Sequence, residues 1–375
     1  MGKVIGIIAG GCPSELMMGL TRDRPLAALP FGGRYRLLDF PLSNLVNSGL
    51  RTVGIITPFH YRSVLDHLGA GKEWLLDRKT GGLFILPGYG QEGNKGKFPL
   101  QDLAWNADFL YKDQAQQVII TCSNLVLNID FTEVLDFHHR KNADVTLIYK
   151  EEAQPGEAAE IISLEPESGG RVKAFGPRRE PGSGKVFLDM LIIQKELLLE
   201  LLEDCDNIDN QDLLVGVSRR LNKLQVYAYE FSGYVGRIDS VAGYFACSMD
   251  LLKPEIQQEL FRGNNRIHTK IADNPPTRYG HRASVKNSLI ASGCKIDGEV
   301  ENSIIFRQVQ IKPGAKVKNS IIMQKCIIGR NVTLDHVILD KFVRVKEHTV
   351  LEGQPSRPVI VEKTANWVRT GGVSS

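Results

Sequence analysis

The sequence predicts an α/β domain built on a mostly parallel sheet, followed by a left-handed parallel β-helix. Three observations carry this expectation. Up to about residue 255, short apolar runs alternate with segments of helical spacing. A Pro- and Asn-rich stretch then breaks the alternation. Beyond it, a four-residue motif recurs at near-constant spacing. At 375 residues the chain is also long for one core, since domains cluster near ~100–150 residues. These features place the α/β domain at 1–253, a connector at 254–284 and the β-helix at 285–375.

Val4–Ala9, Thr52–Thr57, Val118–Cys122, Val145–Tyr149 and Met190–Ile193 are dense in aliphatic and β-branched residues, as strands covered on both faces must be. Between them, Pro41–Asn47, Arg62–Leu68, Phe131–Arg140 and Lys195–Leu202 space their apolar residues as amphipathic helices do. Such alternation implies βαβ crossovers, with helices on both faces of the sheet. Ligands of these sheets bind beyond the carboxyl ends of the strands. The loops after Ala9, Thr57 and Cys122 are therefore the ones to read.

Pro254, Asn264–Asn265 and Asn274-Pro275-Pro276 mark the connector. After it come Asn287-Ser288-Leu289-Ile290, Asn302-Ser303-Ile304-Ile305 and Asn319-Ser320-Ile321-Ile322, with Asp335-His336-Val337-Ile338 as a looser fourth copy. Aliphatics step by six within the copies, from Ile311 to Val317 and from Ile322 to Ile328 to Leu334. A six-residue step inside a coil of roughly eighteen is the hexapeptide β-helix pattern. A single coil cannot bury its apolar edge, so coils must stack. The aliphatic row Ile290, Ile305, Ile322 and Ile338 is expected to be an edge that needs cover.

The apolar fraction of 42% and charged fraction of 24% exclude a disordered chain. Six cysteines (Cys12, Cys122, Cys205, Cys247, Cys294 and Cys326) lie far apart with no CxxC pair, which favours free thiols in a reducing compartment. No metal-type Cys/His spacing occurs. The N-terminal apolar run is too short for a membrane span, and the cytoplasm is the expected location. Net charge is +7 over 281–375 and −4 over 1–280. A lysine-rich coil surface explains this, as does attraction for small phosphorylated anions. Basic runs interleaved with aromatics are missing, so nucleic acid is not an expected partner.

Gly10-Gly11-Cys12-Pro13-Ser14-Glu15-Leu16, Leu20-Thr21-Arg22-Asp23-Arg24-Pro25 and the run from Phe31-Gly32-Gly33-Arg34-Tyr35-Arg36 through Asp39-Phe40-Pro41-Leu42-Ser43-Asn44 to Asn47-Ser48-Gly49 together resemble ADP-glucose pyrophosphorylase. The resemblance covers essentially the whole chain. It implies a Rossmann-like nucleotidyltransferase domain, a C-terminal β-helix, and the reaction of glucose 1-phosphate with ATP to give ADP-glucose and pyrophosphate in glycogen synthesis. Such chemistry depends on neutralising and aligning phosphates. The family does so with a GGxGxRL loop, two Mg²⁺-holding aspartates in Gly-Asp-His and Asp-Val-Gly-Thr turns, and a lysine in an Arg-Ala-Lys-Pro segment.

Against that pattern this sequence keeps Gly10, Gly11 and Thr21 as a remnant of the nucleotide loop but departs elsewhere. Pro13 stands for a glycine and removes an N–H donor. Glu15 stands for the arginine and reverses its charge. Asn124 takes the place of the first aspartate, and Tyr234 in Tyr234-Val235-Gly236-Arg237 is aligned with the second. A hard dication prefers carboxylate and water oxygens; both carboxylates are lost, and no metal or cofactor is expected on this chain. Arg24 replaces the lysine. Arg178 is a weak match to a sugar-phosphate lysine. Asp130 and Asp239 could be displaced metal ligands or merely capping and surface carboxylates.

Trp74-Leu75-Leu76-Asp77-Arg78-Lys79-Thr80-Gly81-Gly82-Leu83-Phe84-Ile85-Leu86-Pro87 resembles the D-type companion subunit of two-gene bacterial enzymes. That branch implies a regulatory and assembly role in a heterotetramer with a separate catalytic, Mg²⁺-using chain. Arg34, Arg36 and Arg51 are at or near family positions close to an effector pocket between the domains, and guanidinium forks suit phosphorylated effectors or nucleotides. They could equally pair with carboxylates such as Asp39 or be solvated. His281, His336 and His348 fall in or beside the coils and are expected to be exposed or structural. Two other functions remain open: an active nucleotidyltransferase with relocated metal ligands, and an acyltransferase of the β-helix type.

Overall fold

The computed structural model describes residues 3–9, 14–57, 60–88, 97–152, 162–177, 184–203, 212–261, 263 and 265–363. Gly10, Gly11, Cys12, Pro13, Arg178 and Cys205 lie outside them, and of Glu15 only the backbone is described.

Strands and helices alternate through the first half as their apolar spacing requires. β1 (Val4–Ala9) is followed by the two-residue strands β2 (Pro30–Phe31) and β3 (Tyr35–Arg36), then α1 (Asp39–Asn47), β4 (Thr52–Thr57), α2 (Arg62–Leu68) and β5 (Gly82–Pro87). Next come α3 (Leu100–Trp105), α4 (Ala107–Tyr111), β6 (Gln117–Cys122), β7 (Leu125–Val126) and α5 (Phe131–Arg140). The domain continues with β8 (Val145–Glu152), β9 (Ile162–Pro166), β10 (Val172–Pro177), β11 (Gly184–Gln194) and α6 (Lys195–Glu203). It closes with α7 (Leu213–Arg219), β12 (Val226–Glu230), β13 (Gly236–Arg237), α8 (Val241–Asp250) and α9 (Pro254–Phe261).

β6, β1, β4 and β5 lie side by side and parallel, with Val4 opposite Gln117 and Ala9 opposite Cys122. That register brings the carboxyl ends of β1 and β6 level. β11 runs antiparallel to both β6 and β8, a direction that its apolar composition does not encode. Its register shifts between Phe187 and Leu191, and Asp189 sits in that irregularity with a positive φ of 51°. Two apolar layers sandwich the sheet: one includes residues of α3, α4, α6 and α7, the other residues of α1, α2 and α5. Asp130, Asp212 and Ser240 cap α5, α7 and α8 by accepting backbone N–H groups.

The β-helix consists of three parallel five-stranded sheets. It begins at Arg278–Tyr279, inside the stretch expected to be a connector, and α9 occupies the start of that stretch. Exposed Arg and Tyr in the first coil carry no aliphatic signal that would reveal a strand. Each motif asparagine (Asn287, Asn302, Asn319) adopts positive φ at a corner, as does His336 in the fourth copy; asparagine tolerates this region better than most residues. The serines form a ladder: Ser288, Ser303 and Ser320 each accept the N–H of the next coil at 3.1 Å, from Ser303, Ser320 and Val337. The repeated Asn-Ser is therefore corner chemistry.

The aliphatic row is corrected by the register. Ile290, Ile305 and Ile322 are continued by Leu339, and these residues fill the coil interior. Ile338 instead pairs with Ile321 and belongs to an outward row, Ile304–Ile321–Ile338. That row is covered by the first domain, through Met17, Leu20, Phe31, Phe40, Tyr244 and Phe245. The two domains thus share one apolar seam, which Arg24 ties further by a buried 2.5 Å ion pair to Asp340.

Candidate functional site

The crevice at the carboxyl ends of the parallel strands is where this fold places ligands. Asn124, two residues beyond β6, is buried there. Pairing of β13 with β7 lays Arg237 opposite Leu125, and the Ile238 N–H donates to the Asn124 carbonyl at 2.8 Å. Asp189, almost fully buried, collects three donors on its Oδ2: Lys97 Nζ and Arg237 Nη1 at 3.2 Å, and Asn124 Nδ2 at 3.3 Å. Arg237 also donates from Nη2 to the Phe187 carbonyl at 3.1 Å. Asn124 Oδ1 and Arg237 Nε are buried and find no partner among the described residues. Burial pushes the Asp239 carboxyl up, against the pull of Arg237.

Tyr234 does not join Asn124; its hydroxyl donates to Asp250 at 3.0 Å and meets Cys247. The side chain of the turn that shares Asp189 with Asn124 is Arg237. Pairing of a two-residue strand brings Arg237 there, which motif matching cannot see. Asp189 and Lys97 were also missed, although an aspartate inside the run Val186–Ile193 is an anomaly visible in the sequence.

These residues do not fit a divalent cation. Asn124 offers one neutral oxygen, and Arg237 adds a permanent positive charge beside it. Of the candidate displaced ligands, Asp130 accepts the Thr132 N–H at 2.9 Å as a helix cap, while Asp239 lies under the charges of Arg237 and Lys97. Among the described residues no three His, Cys, Asp or Glu side chains form a metal-holding group. Arg24, aligned with the family's lysine, is committed to Asp340 and to the Leu20 carbonyl. Thr21 is buried.

A second feature lies between the domains, a cavity of about 450 Å³. Gly32 and Gly33, both at positive φ, turn the chain so that Arg34 lines it, with Lys270 from the connector and Arg307 from the β-helix. Three cations and, among the described residues, no carboxylate border it. Burial and the adjacent Arg34 hold the pKa of the Arg307 guanidinium below its usual value, against the pull of Asp39. Of the three arginines expected here, only Arg34 arrives. Arg36 donates to the Ser63 carbonyl at 2.5 Å, and Arg51 bonds the Val46 and Leu50 carbonyls at 3.0 Å around the end of α1. Arg36 instead lies near Lys341, whose ammonium burial, Arg36 and Arg24 push down to about 7. The coil histidines form no cluster with these groups; His336 bonds Asp335 at 2.7 Å.

Residues 5–176 match a family model described as nucleotidyl transferase, and residues 272–357 match the GlmU-like C-terminal hexapeptide model. The glycogen biosynthesis protein GlgD of Bacillus subtilis (strain 168) is 36% identical over 362 residues, 96% of either chain. The protein of that name from Geobacillus stearothermophilus is 38% identical over 319 residues, 84% of this chain and 83% of the relative. The chain belongs to the ADP-glucose pyrophosphorylase family, in its D-type branch. The family's enzymes are matched too: the glucose-1-phosphate adenylyltransferase of Bacillus anthracis is 30% identical over 358 residues, 93% of this chain and 94% of the relative. Family membership accounts for the α/β domain with its appended left-handed β-helix. No described helix is long and apolar enough to cross a membrane.

Proposed function

We propose that this chain is the regulatory and assembly subunit of a cytoplasmic glucose-1-phosphate adenylyltransferase, joined to a separate catalytic chain in a heterotetramer that makes ADP-glucose for glycogen. One observation carries the reading. At the two positions that resemble the family's Mg²⁺-holding aspartates this chain has Asn124 and Tyr234, and Asn124 shares the Asp189 carboxylate with the cationic Arg237. Without the dication the triphosphate charge is not neutralised, and catalysis by electrostatic alignment has little to work with. The chain then acts by biasing its partner, and coupling of this kind is typically ~1–3 kcal/mol, or roughly 5–150-fold in affinity. The cavity lined by Arg34, Lys270 and Arg307 is the site for a small phosphorylated effector or a nucleotide.

ADP-glucose synthesis measured for this chain alone, the catalytic chain alone and the two mixed tests the proposal. The expected result is negligible turnover alone, one co-purifying species on mixing, and altered kinetics of the mixture. Mg²⁺-dependent turnover by the isolated chain near ~1 s⁻¹, within the ordinary enzyme range, overturns it. So do two species that ignore each other.

A further inference from the structure

One face of the β-helix carries charge in bands. Its strands are Ser284–Lys286, Glu299–Glu301, Lys316–Lys318, Thr333–Asp335 and Val350–Glu352, stacked in register. The central residue of each points inward, and the flanking two point out. Coil by coil, the outward pairs are Ser284 and Lys286, Glu299 and Glu301, Lys316 and Lys318, then Thr333 and Asp335. The first four coils are thus basic, acidic, basic and acidic. The seam with the α/β domain uses a different sheet, so this face is not its docking surface.

The sequence of bands has a symmetry. Take a two-fold axis between two such faces, parallel to the strands and midway between the second and third coils. Rotation reverses the order of coils but keeps the position along each strand. Glu299 then meets Lys316 of the other copy, Glu301 meets Lys318, Lys286 meets Asp335, and Ser284 meets Thr333. Every charged position in the four coils faces an opposite charge, and no like charges are opposed. This is the self-complementarity that an isologous contact requires.

We propose that this face joins two copies of the chain, coil order reversed, through the bands Glu299/Glu301 and Lys316/Lys318. The competing arrangement is pairing between adjacent coils of one chain, of which Lys318–Glu301 at 3.3 Å is an instance. Glu299, Lys316 and Lys286 make no ion pair among the described residues, and Asp335 is shared with His336 and Asn319. The contact is independent of any turnover and of the effector cavity.

Sedimentation equilibrium on the full chain tests the proposal. The wild type is expected to associate, and its association should weaken by at least tenfold on raising the salt from about 0.05 to about 0.5 M, because exposed charges are screened. E299K/E301K and K316E/K318E should each halve the mass while keeping the wild-type circular dichroism. Mixed one to one, the two variants should restore it, since each reversed band then faces a reversed band. Coil-to-coil pairing within one chain predicts no recovery on mixing. A wild type that stays monomeric, variants that keep the wild-type mass, or a mixture that does not recover it each overturn the proposal. Should either variant fail to fold, the salt dependence of the wild type decides alone.

Discussion

Asp189 concentrates three donors on one oxygen inside a strand, and its removal or theirs should be felt locally. Arg237→Ala leaves the buried carboxylate with Lys97 and Asn124 only. Breaking a buried ion pair from one side costs about 3–5 kcal/mol, and the retained Lys97 puts the expected loss at the low end, about 3 kcal/mol by urea denaturation. Asn124→Asp with Arg237→Asp should create a cation site that the wild type lacks, read as Mn²⁺ binding by electron spin resonance. Manganese binding by the wild type would contradict the account of Arg237. His138 supplies a pH probe. Its Nε2 accepts from the Gln194 amide at 3.2 Å, so Nδ1 carries the proton and donates to Thr146 at 2.8 Å. Burial, helped by His139, pushes its pKa down to about 4. Below about 6.5 the unfolded chain takes a proton that the native imidazole refuses, so this residue's share of stability is lost as pH falls from about 6.5 to about 4. The shift corresponds to about 3 kcal/mol. His67, lowered by burial despite its bond to Asp39, acts in the same direction. His138→Gln should flatten the stability–pH curve in that window; an unchanged slope would assign the pH dependence to other groups.

The coil corners show how much of an element a sequence can spell out. Asn-Ser announces each turn because left-handed backbone and a ladder of hydroxyl acceptors both have residue preferences. Ser320→Ala should strand the Val337 N–H in a buried setting, and an unsatisfied buried donor costs about 1–3 kcal/mol. Asn319→Ala should lower the melting temperature more than Asn319→Gly, because only alanine adds strain at positive φ. Equal melting temperatures would show that the Asn319–Asp335 bond, lost in both, outweighs the backbone. The strands Val4–Ala9 and Thr52–Thr57 and the helices Arg62–Leu68 and Phe131–Arg140 emerge with the ends that their spacing implies. What composition does not encode is pairing. The reversal of β11 and the placement of Arg237 beside Asn124 are set by neighbours distant in the chain.

At the scale of the molecule, the domains are joined by the apolar seam and by Arg24–Asp340, with side chains only 7% and 4% exposed. Arg24→Ala should leave Asp340 uncompensated and cost about 3–5 kcal/mol, with protease cleavage between the domains appearing before global unfolding. A variant that resists protease as well as the wild type would mean that the apolar rows suffice. Two domains were legible in the sequence, because the change from alternating elements to hexapeptide steps is a change of period. Their docking was not, since the outward isoleucines look the same as the inward ones until the register separates them. The cavity was half legible for a related reason: Arg34 belongs to a recognisable segment, whereas Lys270 and Arg307 come from segments with no motif of their own.

That seam joins parts of the chain made at very different times. Met17, Leu20 and Phe31 leave the ribosome early, yet Ile304, Ile321 and Ile338, which cover them, come roughly 300 residues later. At synthesis rates of about 5–20 residues per second, the gap is roughly 15–60 s. For that interval the growing α/β domain displays a greasy flank with nothing to put against it, and it must either tolerate the exposure or be escorted through it.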